Sequence, residues 1–375
     1  MAKELKETML HQWHIDHGGR MVPFAGWEMP VQYPSGPIKE HNTTRQAAGA
    51  FDIDHMGQMT VRGPQAEEFV NWVVTYNVSK MKLFDAHYSL FCYADGGAVD
   101  DLFVYKLPDP DDKEKIYFFL AINADNREKD VAWVKAHVGN YDVEVKDISD
   151  ETYMLAIQGP KAPAILNRMT KADLTEVPRF TAVQDTILGN VPVLFGRTGY
   201  TGEDGFELFF PAEHAIRVWE AILEEGKPEG IQPIGLAARD SLRFEPCMPL
   251  YGHELSQYIS PIQARLSFAV SFDKDFIGKD ALLKQKLEKS VPVLVGFKMV
   301  DRGVPRPEYK IFRNGKEVGE VTTGMFSPTT SQYLGMAYLP REISKIGTEI
   351  EIMIHNKLRK AEIVKRPFYI PAYRR

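Results

Sequence analysis

Cysteine is almost missing from this 375-residue chain, where Cys92 and Cys247 stand alone. Two thiols exclude a disulfide scaffold and fit a reducing compartment. Long apolar runs are missing too. None approaches the ~20 residues of a membrane span, and the charged opening "MAKELKETMLHQWH" lacks the apolar core of a signal peptide. Nor is there an excess of positive charge: the net charge is −6, so no overall basic field favours nucleic acid. The chain also lacks HExxH, Cys-x-x-Cys and Gly-x-Ser-x-Gly. These gaps lead us to expect a cytoplasmic protein with no metal, no nucleic-acid partner and no membrane partner.

What is present suffices for a sizeable core. Hydrophobic residues make up 44% and charged residues 26%, and the length exceeds one ordinary domain. An internal echo runs through the first two thirds. "MTVRGPQAEEFVNWVV" (59–74) reads as strand, Gly-Pro and amphipathic helix, and "YMLAIQGPKAPAILNRM" (153–169) repeats that grammar. Each is followed by three strand-like runs and a helix carrying a tryptophan, which predicts two related α+β units of split β-α-β type. "GKDALLKQKLEKS" (278–290) reads as a connecting helix. Beyond it, alternating runs and the Asn314-Gly315 turn predict an antiparallel β barrel or sandwich.

The chemistry is harder to read. In "GGAVDDLFVYKL" (96–107) a strand places Val99, Asp101, Phe103 and Tyr105 on one face, so Asp101 is expected in an apolar, partly aromatic row. A carboxylate buried there needs a partner, either backbone N–H groups or a ligand's nitrogens or positive charge. "GYTGEDG" (199–205) has neither dinucleotide-loop spacing nor a following helix, and reads as a tight loop able to hold Tyr200 and Glu207 beside a ligand. The histidines of "HQWHIDH" (11–17) are expected to be solvated on a terminal helix rather than bound to metal. In "GLAARDSLRFEP" (235–246), Arg239, Asp240 and Arg243 share one turn. They form either an exposed ion-pair set or, through Arg239, a clamp on a polar ligand. The basic tail from Lys357 onward is either a charged strand edge or an attraction for an acidic partner.

Taken together, "GGRMVPFAGWEMPVQY", "EHNTTRQAAGAFDIDHMG", "GGAVDDLFVY", "LAIQGPKA", "GYTGEDGFEL", "GLAARDSLR", "MPLYGHEL" and "DFIGKDAL" occur in one order along nearly the whole chain. That order resembles the T-protein family of the glycine cleavage system, the tetrahydrofolate-dependent aminomethyltransferases. The resemblance implies a three-domain cloverleaf. Two intertwined, ferredoxin-like α+β folate-binding domains would occupy residues 1–285, and an antiparallel β barrel residues 286–375. It also implies transfer of a one-carbon unit from aminomethylated, lipoylated H-protein to tetrahydrofolate, giving 5,10-methylenetetrahydrofolate and ammonia.

Residue by residue, the resemblance makes Asp101 the catalytic carboxylate. It puts Tyr88, Tyr105, Tyr200, Glu207 and Arg239 around the pterin, with Met56 and Asn123 as wall contacts. Phe268 would stack, and Arg306 would meet the folate's glutamate tail. The chain departs from the family pattern at Asp54, where serine is usual, and through 244–268, where Ser256, Gln263 and Arg265 stand in place of Asp, Glu and Gly. A tetrahydrofolate-dependent demethylase of a small methylated substrate is the alternative within this superfamily. The non-enzymatic folate-binding branch is disfavoured, because the cysteine motif it carries near residue 200 is absent.

Overall fold

The Gly-Pro echo is a structural repeat. In this computed structural model, which describes residues 4–374, Gly63 and Gly159 both end a strand with φ near +130° (127° and 130°). A β-carbon at either would lie about 2.5 Å from a backbone oxygen, that of Asp142 or of Ala47. Only glycine fits both the dihedral and the contact. The helices that follow are Ala66–Val73 and Ala162–Asn167. Each repeat then adds three antiparallel strands and a longer helix. The helix Ala215–Glu225 buries Ala215, Val218, Trp219 and Ile222, the apolar stripe of an i, i+3, i+4, i+7 pattern.

Two sheets result. One orders its strands Ala86–Cys92, Ala98–Pro108, Ile116–Ile122, Gly57–Arg62 and Glu144–Asp147. The other orders them Ala182–Ile187, Val191–Gly196, Gly205–Pro211, Thr152–Gln158, Gly49–Asp52 and Gln232–Pro233. The strand Gly49–Asp52 belongs by position to the first repeat. It nevertheless pairs antiparallel with Thr152–Gln158 of the second repeat and parallel with Gln232–Pro233. The two α+β repeats are thus intertwined, and Ile53–Met56 is the crossover from one sheet to the other. Under the second sheet, Trp219, Phe195, Phe206, Tyr153, Ile165 and Val218 form a fully enclosed core.

The C-terminal strands close into a barrel. Val293–Met299 pairs with Gln332–Leu339 on one side and Lys357–Val364 on the other, and Lys316–Ser327, Lys310–Arg313 and Glu349–Ile354 complete the ring. Asn314 and Gly315 both have positive φ, 51° and 74°, as a two-residue hairpin turn of the primed type requires. Along Glu349–Ile354 the isoleucines 350, 352 and 354 point inward and the residues between them outward. The connecting helix is Lys279–Glu288.

By contact density the chain forms two units. The first runs through Val73, takes up Asn77–Ser89 and then Leu102–Asp240. The second comprises Val74–Tyr76, Leu90–Asp101 and the chain from Ser241 on. Within the second unit, two buried carboxylates tie the segment 241–256 to the barrel. Glu254 accepts from Arg243 (2.9 Å), Thr322 (2.6 Å) and Thr323 (2.6 Å), and Glu245 accepts from Ser327 (2.6 Å) and Thr329 (2.6 Å). Arg243 is therefore a buried partner of Glu254, and no member of an exposed ion-pair set. No helix among the described residues is long and apolar enough to cross a membrane.

Candidate active site

The site in the first unit is built on the loop between Val191–Gly196 and Gly205–Pro211. Loops with glycines at this density are normally mobile, but this one is pinned on every side. Arg45 donates to the Thr201 carbonyl (2.7 Å) and pairs with the buried carboxylate of Glu203 (3.1 Å). Arg197 holds Asp204 at 2.7 Å. Gln158 donates to the Thr198 carbonyl (3.1 Å) and accepts from the Thr201 hydroxyl (3.0 Å). A side chain at Gly199 would collide with Gln158 at 2.0 Å. The loop is thereby fixed to present Tyr200.

Around it a pocket is lined by Phe51, Ile53, Ala156, Gln158, Tyr200, Thr201, Glu207 and Arg239. The Arg239 guanidinium lies 4.8 Å from the centre of the Tyr200 ring, a cation–π contact that fixes both groups. Glu207 comes from the strand after the loop and is buried. It accepts from the Thr198 hydroxyl and, at 3.5 Å, from the Tyr105 hydroxyl, which also bonds Thr198 at 2.8 Å. Burial pushes the Glu207 carboxyl above its ordinary range, while the Thr198 bond and the charge of Arg239 pull the other way. A carboxylate held this way in a partly apolar pocket can accept hydrogen bonds from the N–H donors of a polar ligand.

The structure thus brings together Tyr200, Glu207 and Arg239. It alters the role of Tyr105, whose ring is fully buried against Phe119 and Phe209. Tyr105 offers no face to a ligand and instead braces Thr198 and Glu207. Tyr88 is half-buried, edge-on to Phe103 at 5.8 Å. Met56 and Asn123 are half-buried in the same unit, at the crossover and just before the helix Arg127–Ala136. The second unit contains Asp101, Phe268 and Arg306. Phe268 is 66% exposed and Arg306 is exposed.

Asp101 is less enclosed than the buried carboxylate expected from the strand pattern. In the strand Ala98–Pro108 it is Asp100 that is completely buried, and Asp101 is half-buried. Three successive buried residues, Ala98 to Asp100, show that both faces of the strand are covered there, so simple alternation fails.

The histidine expectation also needs correcting. His14 is fully buried: its Nε2 lies 2.9 Å from Asp52, and its Nδ1 is 2.8 Å from the Tyr33 hydroxyl. His11 pairs with Glu28 at 2.7 Å, and only His17 is exposed. Glu7, His11 and Glu28 bring one ligand atom each within 4.8 Å of one another, with the two carboxylates 3.5 and 2.7 Å from the nitrogens of the His11 ring. Of the thiols, burial pushes Cys92 up and Cys247 up to about 12, so neither is a ready nucleophile.

Sequence reasoning missed Thr198, Gln158 and Arg45. Gln158 and Arg45 act on a loop 40 and 156 residues away in the chain, while Thr198 sits in the loop itself but braces Glu207 and Tyr105 across it, and no local spacing signals either. It did mark Asp54 as unusual. Burial and the neighbouring Asp52 push the Asp54 carboxyl up to about 8. Asp52 itself is held below its usual range, because His14 and Thr8 outweigh the effect of burial. An unfolded aspartate titrates near ~4, so the folded chain keeps a proton on Asp54 that the unfolded chain has lost. Asp54 therefore favours the fold at low pH, and this contribution fades as pH rises from about 4 through 8. Thermal melts of Asp54→Asn are expected to show a gain of a few degrees at pH 8.5 and almost none at pH 4. An equal gain at both would show that the proton is irrelevant.

The chain and its fold have known counterparts. Residues 10–274 match the GCVT N-terminal domain family, and residues 293–369 match the Glycine cleavage T-protein C-terminal barrel domain. An aminomethyltransferase of Desulforamulus reducens is 47% identical, over 98% of this chain and 99% of that protein. One from Symbiobacterium thermophilum is 45% identical, over 100% of both. The crystal structure of glycine cleavage system aminomethyltransferase T from Bartonella henselae superposes with a TM-score of 0.90 at 32% identity, covering 98% of this chain and 99% of that one. Likeness of this degree over two full chains shows that the protein belongs to the glycine cleavage T-protein family of aminomethyltransferases.

Proposed function

We propose that the chain moves the one-carbon unit of an aminomethyl group from lipoylated H-protein to tetrahydrofolate, releasing ammonia and forming 5,10-methylenetetrahydrofolate. The observation that carries the folate half is the Glu207 clamp. A buried carboxylate braced by Thr198 and Tyr105 suits the paired N–H donors on the amino-pyrimidine edge of the pterin. Tyr200 and Arg239 supply a flat, polarised surface beside it, and Phe51 and Ile53 the apolar wall. Tyr88, Met56 and Asn123 complete the lining in this reading, and Phe268 stacks. The folate-binding chemistry is assigned to residues 1–285 and the barrel to 286–375.

Asp101 is assigned the electrostatic role. Aminomethyl transfer passes positive charge through an iminium-like carbon, and a fixed carboxylate stabilises such charge better than reorienting water does. Its half-buried place in a strand whose neighbours are buried supports a preorganised charge of this kind. Relatives named aminomethyltransferase favour this chemistry over demethylation of a small molecule. A reducing, cytoplasmic setting suits the two unpaired cysteines.

For the carrier protein, the barrel offers a cleft lined by Arg302, Arg306, His355, Lys357 and Arg359, without a carboxylate among them. Such a concentration of positive charge suits an acidic partner surface or the glutamate tail assigned to Arg306.

The test is ammonia release from aminomethylated H-protein with and without tetrahydrofolate. Wild type should turn over only with folate, and Asp101→Asn should fall by roughly 100-fold in kcat. Folate binding without turnover in the wild type would favour the demethylase. Folate-independent release would remove the reading altogether.

A further inference from the structure

The crossover Ile53–Met56 carries a residue the assignments above leave unused. His55 is 2% exposed, and neither ring nitrogen has a hydrogen-bond partner. Its ring meets only the edge of Phe24, at 5.5 Å between centres, among the ring contacts of the described residues. Burial pushes the imidazole down to about 3, with the charge of Arg239 acting in the same direction and that of Asp52 opposing. The ring is therefore neutral at any working pH and always has one donor and one acceptor nitrogen.

A buried polar group without partners is a standing cost of order 1–3 kcal/mol. Another buried histidine, His14, whose partner Asp52 directly precedes the crossover, has both nitrogens satisfied. The fold can evidently satisfy an imidazole here, yet it leaves His55 unmatched. His55 does not itself line the pocket, but two further facts relate it to the residues that do. Ile53, two residues earlier, lines it, and the guanidinium that acts on the His55 ring is that of Arg239, another lining residue.

We infer that His55 is a substrate-binding residue, its neutral imidazole forming a hydrogen bond to the tetrahydrofolate held beside Arg239. The inference rests on the folate reading above and adds a contact to it. In this arrangement the free protein carries an unsatisfied group, and the substrate satisfies it.

Such a trade gives a signature that a core histidine would not. His55→Phe keeps the ring's bulk and edge contact but removes both nitrogens. The full chain carrying this change should melt at the same temperature as wild type or higher, since an unmatched polar group is gone. Its dissociation constant for tetrahydrofolate, measured by titration calorimetry, should rise about tenfold, the scale of one buried hydrogen bond. The ratio to wild type should stay flat from pH 6 to 9. If the Phe variant does not fold, His55→Met is read in the same way.

An unchanged dissociation constant would overturn the inference and leave the folate site standing. So would a melting temperature several degrees lower, which would show that the nitrogens already serve the free fold. Wild type that fails to bind tetrahydrofolate would remove the inference and the proposed function together.

Discussion

Glu207→Ala should weaken tetrahydrofolate binding by about two orders of magnitude, with little change in melting temperature. The expected loss reflects a charge-assisted, paired hydrogen bond in a pocket with little water to replace it. Glu207 is buried and its position is set by Thr198 and Tyr105, so the carboxylate arrives preorganised and the ligand spends nothing on ordering it. Stability is affected less, because truncation also relieves the charge that burial disfavours. Glu207→Gln separates charge from shape. It keeps an acceptor and the volume but offers an amide where the second donor of the ligand arrives, so it should fall between wild type and Ala. A Gln variant that binds like wild type would show that the carboxylate does not meet the ligand's donor edge.

Glu254→Ala should cost about 3–5 kcal/mol of stability, because it leaves the Arg243 guanidinium buried without its counter-charge. The two side chains are 1% and 0% exposed, so water cannot take over. Removing Glu254 also strips partners from Thr322, Thr323 and the Leu250 N–H. Chemical denaturation of the full chain should show the loss, and the double variant Arg243→Met, Glu254→Met should recover much of it. Replacing both members of a buried pair by apolar groups is often neutral, whereas orphaning one is not. A single variant as stable as wild type would mean that the ion pair adds nothing to the join between the segment 241–256 and the barrel.

The parts of the fold visible in the sequence share one property: their signals are local. Gly63-Pro64 and Gly159-Pro160, the alternation of Glu349–Ile354 and the Asn314-Gly315 turn each specify structure within a few residues. What could not be read depends on distant segments. Gly49–Asp52 is four residues long with no distinctive alternation, and it is a strand because Thr152–Gln158 and Gln232–Pro233 flank it. The spacing of His11, His14 and His17 shows a helix face but not that Asp52 lies against His14. At the site, the glycine loop marked Tyr200 and Glu207, and the 235–246 segment offered Arg239 as a clamp without deciding it against an exposed ion-pair set. The bracing by Thr198, Gln158 and Arg45 came only with the tertiary structure. Strand alternation put Tyr105 on the face of Asp101, but it does not say whether that face is covered by a ligand or by protein, here Phe119 and Phe209.

The position of Gly49–Asp52 has a consequence for the chain's birth. Its antiparallel partner begins about a hundred residues downstream, and its parallel partner some eighty residues further on. At roughly 5–20 residues per second of synthesis, this strand leaves the ribosome many seconds before anything exists for it to pair with. During that interval the first repeat cannot reach its final form, and an unpaired edge stays open to the wrong neighbour. The intertwining that sets Ile53 beside the pocket therefore also makes this part of the fold wait on chain made more than a hundred residues later.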